Sequence, residues 1–279
     1  MPRPVIFIAR RLPDAVLARA EKSYEIIVNY DDVPYSSDQI IEVSANVDGI
    51  VACHSEQFPA DVVDALDPRV KIVANYSVGT DHCDLAAFAA RGIAVTNTPD
   101  VLSDATAEIT LLLLLGAARR AVEGDQMVRG GEWKFWSPSF MVGKQVTGRR
   151  LGIIGMGRVG RAVARNARGL NMQIHYYNRN RLSSDAEAGA IFHETIESLL
   201  SVSDFLSLHC PATAETKGIM TAERFALLPK GAVFVNAARG SLVDEAALIG
   251  AIESGGISAA GLDCFVSEPG GNPAFSKYQ

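Results

Sequence analysis

Leu151-Gly-Ile-Ile-Gly-Met-Gly-Arg-Val-Gly160 decides the fold of this chain. An apolar strand over 151–154 runs straight into Gly155, Gly157 and Gly160, and a helix is predicted from Arg158 to about Leu170. A second strand follows at Gln173–Tyr177. The first glycine permits a tight turn, and the second lets the backbone approach a pyrophosphate. The third lets helix and strand pack closely. The helix N-terminus then offers free N–H groups and a partial positive charge to phosphate oxygens. Glycines also mark ordinary turns, but strand, glycines, helix and strand stand here in the order a dinucleotide site needs. Gly155, Met156, Gly157, Arg158, Val159 and Gly160 are therefore expected to hold a cofactor.

The residue after the second strand reads the adenine ribose. Dinucleotide sites selective for NAD place Asp or Glu there, to bond the ribose 2′-OH. This chain has Tyr177-Asn178-Arg179-Asn180-Arg181. No carboxylate opposes a 2′-phosphate, and two guanidiniums are available to grip one. A solvated basic loop would look the same, but the position favours NADP(H), with NAD(H) second. Asn178, Arg179 and Arg181 are the expected contacts.

The 279 residues suffice for one large or two modest domains. A net charge of −6 argues against general nucleic-acid binding. The four cysteines, Cys53, Cys83, Cys210 and Cys264, show no metal-ligand spacing, so no metal is expected and reduced thiols in a cytoplasm are the plain reading. The short apolar run Val5–Ala9 leads into Arg10-Arg11, unlike a secretory signal. Leu111–Leu115 is apolar, but too short a stretch to span a bilayer, so no membrane partner is expected.

Strand and helix alternate throughout. Strands are predicted at Val5–Ala9, Glu25–Asn29, Gly49–Cys53, Val70–Asn75 and Ala94–Asn97, and helices near Pro13–Ala20, Ser37–Val47, Pro59–Leu66 and Asp84–Arg91. Ser36 or Ser37 and Asp84 read as N-caps, and Gly92 as a stop. A long helix, Ser103 to Arg119, then joins the halves, its leucines suited to burial between domains. After the glycine motif, strands are expected at Phe205–Leu208, Ala232–Asn236 and Ser258–Asp263, and helices near Thr195–Val202, Thr221–Leu228 and Asp244–Ser254. This alternation predicts an α/β fold of two doubly wound, Rossmann-like parallel-sheet domains with an interdomain cleft. Residues 1–99 form the first, and 100–279 the dinucleotide-binding second. The segment 130–148 carries Trp133 and Trp136, which either fold onto their own domain or pack against a second subunit.

Open α/β sheets bind ligands beyond the C-terminal ends of their strands. Arg239, after a buried strand, is the best catalytic candidate. A guanidinium binds a carboxylate in a planar, bidentate way and polarises a carbonyl. Its bland alternative is a structural pair with a carboxylate such as Asp244. Glu268 has the chemistry to hold and charge a histidine, although a loop carboxylate before Pro269 is equally ordinary.

Several stretches, in order, resemble the D-isomer-specific 2-hydroxyacid dehydrogenases. They are Asn75-Tyr-Ser-Val-Gly-Thr-Asp-His-Cys-Asp84, Thr106-Ala-Glu108, Gly155–Gly160, His209-Cys-Pro211, Asn236-Ala-Ala-Arg-Gly240, and Gly261-Leu-Asp-Cys-Phe265 with Glu268-Pro269. Within the family, Gly131-Glu-Trp-Lys-Phe-Trp136 and the Asn178–Arg181 run look most like the NADPH-dependent glyoxylate/hydroxypyruvate reductases. The resemblance implies hydride transfer between NADPH and a small 2-oxo acid, giving a D-2-hydroxy acid. It implies that Val78 and Gly79 present N–H groups to the substrate carboxylate and that the first domain is flavodoxin-like. Arg239 binds the oxo acid and Glu268 orients a catalytic histidine. Asp263 bonds the nicotinamide carboxamide, and Thr106, His209, Cys210, Pro211, Asn236, Ala237 and Ala238 line the cofactor. A homodimer is the usual assembly.

The family's catalytic histidine stands in a turn after the Glu-Pro pair, and the sequence ends at Gln279 before it. The five histidines, His54, His82, His175, His193 and His209, lack the expected relation to Glu268. The second domain therefore reads as truncated, with binding retained and turnover weakened. Two other readings stay open: a cofactor-sensing interaction protein of the same fold, and a dehydrogenase for a different D-2-hydroxy acid.

Overall fold

The computed structural model describes residues 2–278. The chain divides into two compact units, one ending at Val101 and the other beginning at Leu102.

The first unit alternates β1 (Val5–Ile8), α1 (Asp14–Ala20), β2 (Glu25–Val28), α2 (Ser37–Ser44), β3 (Gly49–Ala52), α3 (Ala60–Ala65), β4 (Ile72–Asn75), α4 (Leu85–Ala90) and β5 (Ala94–Thr96). All strand pairs are parallel, in the order β2-β1-β3-β4-β5. That is the flavodoxin-like order, whose chain reverses direction across the sheet between β1 and β3. Central β3 is buried on both faces, whereas edge strand β2 alternates exposed and half-buried residues. Helices α2, α3 and α4 cover one face through Ile40, Val62, Val63 and Phe88, while α1 lays Leu17 on the other.

The expected helix signals act as caps. The Ser36 hydroxyl accepts from the Gln39 amide while the Gln39 side chain accepts from the Ser36 amide, a reciprocal capping box. The Asp84 carboxylate accepts from the Ala87 amide. Gly92, just beyond α4, has φ +66°, the left-handed conformation a helix stop uses.

The second unit opens with α5 (Ser103–Ala118) and α6 (Ala121–Arg129). Its sheet units are β6 (Arg150–Ile154), α7 (Arg158–Arg168), β7 (Gln173–Tyr177), α8 (Ser184–Glu187), β8 (Ile191–Phe192), α9 (Ile196–Leu200), β9 (Phe205–Leu208), α10 (Ala222–Ala226), β10 (Ala232–Asn236), α11 (Glu245–Glu253) and β11 (Ile257–Leu262). The parallel order is β8-β7-β6-β9-β10-β11. Counted from β6, this is the 3-2-1-4-5-6 order of a dinucleotide-binding sheet, with its crevice at the β6/β9 reversal. Both faces carry a core. Helices α5 and α7 pack one side around Leu151, Ile153 and Phe205, and α9, α10 and α11 pack the other around Leu206, Phe234 and Leu248.

Three elements were not in the sequence reading: α6, α8 and β8. Helix α6 has no buried residue and carries Gly124, a poor helix former, in its first half, which weakens its signal. Ion pairs Arg120–Glu123 and Arg129–Asp125 lie along it. In α5, Leu114 is fully buried and Leu111 and Leu113 are partly buried in the core of the helix's own unit, whereas Leu112 is 64% exposed.

Candidate functional site

The glycine loop joins β6 to α7. Gly155 has φ +97°, and a Cβ there would lie 2.4 Å from the Cys210 amide nitrogen. The turn is thus seated directly against the chain leaving β9. At Gly160 a Cβ would lie 2.4 Å from the Gly155 carbonyl oxygen, which fixes the close helix–turn packing. Gly157 differs from both, since a Cβ there would meet nothing within 4 Å. It precedes α7, and no side chain caps that helix. Open space beside an uncapped first turn is the setting a pyrophosphate requires, so Gly157, Arg158, Val159 and Gly160 fit the group.

At the end of β7, Asn178 accepts the Met156 amide through Oδ1 at 2.7 Å, joining the ribose-reading loop to the glycine loop. Arg179 is exposed, and its charge helps hold the Glu215 carboxyl below its ordinary range, behind the larger effect of the Thr213 hydroxyl. Arg181 does not join it. Its guanidinium donates to both oxygens of Glu187, at 2.8 and 3.2 Å. Tyr176 also donates to that carboxylate, at 2.6 Å, and accepts the Leu182 amide at 3.1 Å. Arg181 first, then Tyr176, lowers the Glu187 pKa. Arg181 is therefore part of a clamp that shapes the loop.

Beyond β9, the His209 ring bonds the Ser207 hydroxyl through Nε2 at 2.8 Å, and its buried Nδ1 has no hydrogen-bond partner among the described residues. Burial lowers its pKa to about 4, so the imidazole is neutral at physiological pH. Burial raises Cys210 to about 11, leaving an unreactive thiol. The Thr216 hydroxyl donates to the Pro211 carbonyl at 2.7 Å and accepts the Thr213 amide at 2.8 Å, which shapes this wall. Sequence reading passed over Thr216. Thr106 lies on the first turn of α5, its carbonyl accepting the Thr110 hydroxyl at 2.7 Å.

The loop bearing Arg239 lies against the loop bearing Asp263, the half-buried Cys264 and Glu268. Burial pushes Cys264 up to about 12; Glu268 and Asp263 add to the rise and Arg239 opposes it. Gly240 makes this contact feasible, because a Cβ there would lie 1.9 Å from the Phe265 carbonyl carbon. Only a residue without a side chain lets the loop after β10 lie on the loop after β11. The Glu268 carboxylate accepts the Phe265 amide at 2.7 Å, turning the second loop back on itself. The Arg239 Nη1 donates to the Ala238 carbonyl at 2.8 Å. Ala237 and Ala238 are half-buried between Asn236 and Arg239. Asn236, expected in the cofactor wall, has its side chain bonded to the main chain of Ala238 and Arg239.

In the first unit, Val78 and Gly79 lie in the loop after β4. The Asn97 side chain donates to the Val78 carbonyl at 2.9 Å, and the Ser77 hydroxyl donates to the Gly79 carbonyl at 2.7 Å. Both carbonyls are anchored, while the amides of Val78 and Gly79 have no protein acceptor among the described residues.

The histidines occupy other places. His82 is buried and bonded to Asn75 Oδ1 at 2.9 Å. His175 and His193 bond each other at 2.9 Å. Among the described residues of the second unit, no histidine is hydrogen-bonded to Glu268. No helix among the described residues is long and apolar enough to cross a membrane.

Residues 111–277 match the profile of the D-isomer specific 2-hydroxyacid dehydrogenase, NAD binding domain. The glycerate dehydrogenase of Hyphomicrobium methylovorum is 42% identical over 277 residues, covering 99% of this chain and 86% of the relative. The glyoxylate reductase of Thermococcus kodakarensis is 43% identical over 272 residues, covering 96% of this chain and 81% of the relative. Among solved structures, an NADPH-dependent glyoxylate/hydroxypyruvate reductase from Sinorhizobium meliloti, in complex with NADP and malonate, is 33% identical with a TM-score of 0.86. The match covers 99% of this chain and 84% of that one. The chain belongs to the D-isomer specific 2-hydroxyacid dehydrogenases, oxidoreductases that use a nicotinamide cofactor to act on small 2-hydroxy and 2-oxo acids.

Proposed function

We propose that this chain reduces a small 2-oxo acid of the glyoxylate or hydroxypyruvate class to the D-2-hydroxy acid, with NADP(H) preferred over NAD(H). The observation that carries the reading is the loop bearing Arg239 seated, through Gly240, against the loop bearing Asp263 and Glu268, in the same unit as a glycine loop open at Gly157. The bound cofactor supplies the hydride. The first turn of α7, from Gly157 to Gly160, holds the pyrophosphate, and Met156 sits between that turn and Asn178. Arg179, with Asn178, meets the 2′-phosphate. Thr106, His209, Cys210, Pro211, Ala237 and Ala238 line the remaining length. Asp263 would accept from the carboxamide of a bound nicotinamide and so help orient the ring.

Arg239 would grip the oxo acid and stabilise negative charge developing on its carbonyl oxygen. In the first unit, the amides of Val78 and Gly79 suit a carboxylate. Glu268 has the chemistry to steady a protonated imidazole, but no histidine of its own unit is bonded to it, so water supplies the proton to the carbonyl oxygen and turnover is slow. The relatives named glyoxylate reductase and glycerate dehydrogenase support the substrate class, and the NADPH-dependent reductase supports the cofactor preference. A homodimer is proposed on the exposed Trp133, Phe135 and Trp136, and a cytoplasmic location on four free thiols. The test is NADPH consumption with glyoxylate. Arg239→Ala should abolish it while leaving NADPH affinity within about twofold. Unchanged consumption in that variant would remove Arg239 from the reaction.

A further inference from the structure

Asn236 is the last residue of β10 and only 1% exposed. Its Nδ2 donates to the Arg239 carbonyl at 2.8 Å, and its Oδ1 accepts the Ala238 amide at 3.0 Å. Its own carbonyl accepts the Asp263 amide at 3.0 Å and the Cys264 thiol at 3.6 Å. One buried residue thus bonds four others, and Arg239, Asp263 and Cys264 are all on the two loops described above. Its amide fixes the main chain from which the Arg239 guanidinium departs. Its carbonyl fixes the start of the loop carrying Asp263 and Glu268.

We propose that Asn236 is a positioning residue for Arg239, setting where the guanidinium meets the oxo acid, and is not a cofactor ligand. This rests on the reading of Arg239 as the oxo-acid residue. Both functions of the amide are needed. An acceptor must face the Ala238 N–H while a donor faces the Arg239 carbonyl, and only Asn supplies that pair at this length. Asn236→Asp keeps the acceptor and the shape but sets a carboxylate against a carbonyl. Protonating that carboxyl restores the donor. A buried carboxyl facing a carbonyl is expected to titrate well above the usual carboxylate range.

The test is calorimetric, so it does not depend on turnover. Malonate serves as the oxo-acid mimic, titrated into NADPH-saturated protein. Wild type should bind it, and Arg239→Ala should not. Asn236→Asp should bind NADPH within about twofold of wild type, yet bind malonate about tenfold or more weakly near pH 8. It should recover most of that loss near pH 5.5, where the new carboxyl is protonated and wild-type affinity serves as the baseline. The two pH values compare one folded protein with itself, so a general loss of fold does not mimic the result. Equal weakening of NADPH and malonate would make Asn236 a cofactor residue and overturn the proposal, as would malonate affinity that ignores the substitution. Recovery absent at low pH overturns the donor role. Wild type that binds NADPH but not malonate instead removes the Arg239 reading, and the inference with it.

Discussion

Gly155, Gly157 and Gly160 stand within six residues of one another and answer to different demands. A methyl group at Gly155 or Gly160 strikes main-chain atoms at 2.4 Å, whereas at Gly157 it meets only open space. Gly157→Ala should therefore melt close to wild type and bind NADPH about tenfold or more weakly, read by fluorescence titration beside a thermal melt. Gly155→Ala should lose stability first, because φ +97° disfavours any side chain even before the clash. Unchanged NADPH affinity in Gly157→Ala would place the pyrophosphate elsewhere. The two arginines of the ribose loop divide in the same way. Arg179→Ala should weaken NADPH selectively over NADH, whereas Arg181→Ala should lower thermal stability by stranding Glu187, a buried residue, with Tyr176 alone. Equal loss of NADPH selectivity in both would contradict that division. Sequence exposed the glycine roles because each follows from a missing side chain at a fixed spacing. It did not separate Arg179 from Arg181, since Glu187 lies six residues beyond the second on another element.

Strands and helices carry their own consequences, and the outer strands of the second sheet carry one that depends on pH. His175 on β7 and His193 just after β8 share one hydrogen bond. The Ser198 hydroxyl donates to the Thr195 carbonyl, so it accepts from His193 Nδ1, and His193 Nε2 accepts from His175. Burial lowers the pKa of both, and for His175 the neighbouring His193 and Arg150 lower it further against the opposing Asp204. A histidine whose folded pKa is depressed binds fewer protons folded than unfolded. Its stability is thus full above the ordinary value of 6.5 and lost as pH falls below it. His209 extends that loss toward its own value of about 4. Melting temperature should fall steadily from about pH 7 to pH 5, and His193→Gln should flatten part of the fall. A melting temperature level across that range would refute the account. Elements with a strong apolar pattern, such as β9 and β10, were legible within a residue or two because burial on both faces demands it. Helix α6, with no buried residue, and two-residue β8 gave weak signals. The loop contact at Gly240 was equally hidden, because glycine spacing does not reveal which distant loop it admits.

The whole molecule exposes apolar side chains where a lone chain gains nothing from them. Val128, Trp133, Phe135, Trp136 and Val142 are each more than half exposed within one stretch of sequence. Large exposed aromatics mark association surfaces. Sedimentation should give a dimer for wild type, and Phe135→Ser with Trp136→Ser should shift it toward monomer; a wild-type monomer at micromolar concentration would remove the dimer. Both tryptophans are exposed rather than folded onto their own unit, which is what the sedimentation experiment puts to the test. The two parallel sheets were legible from strand–helix alternation alone, and Arg239 and Glu268 drew notice by their chemistry after predicted strands, whereas Asp263 was named only through the family resemblance. The most direct measurement of the central claim is calorimetric titration of NADPH, then NADH, into the purified protein, with glyoxylate added to the saturated complex. The account predicts saturable binding of both cofactors, tighter for NADPH, and a second binding event for glyoxylate that is absent in Arg239→Ala. A folded protein that takes up neither cofactor would contradict it.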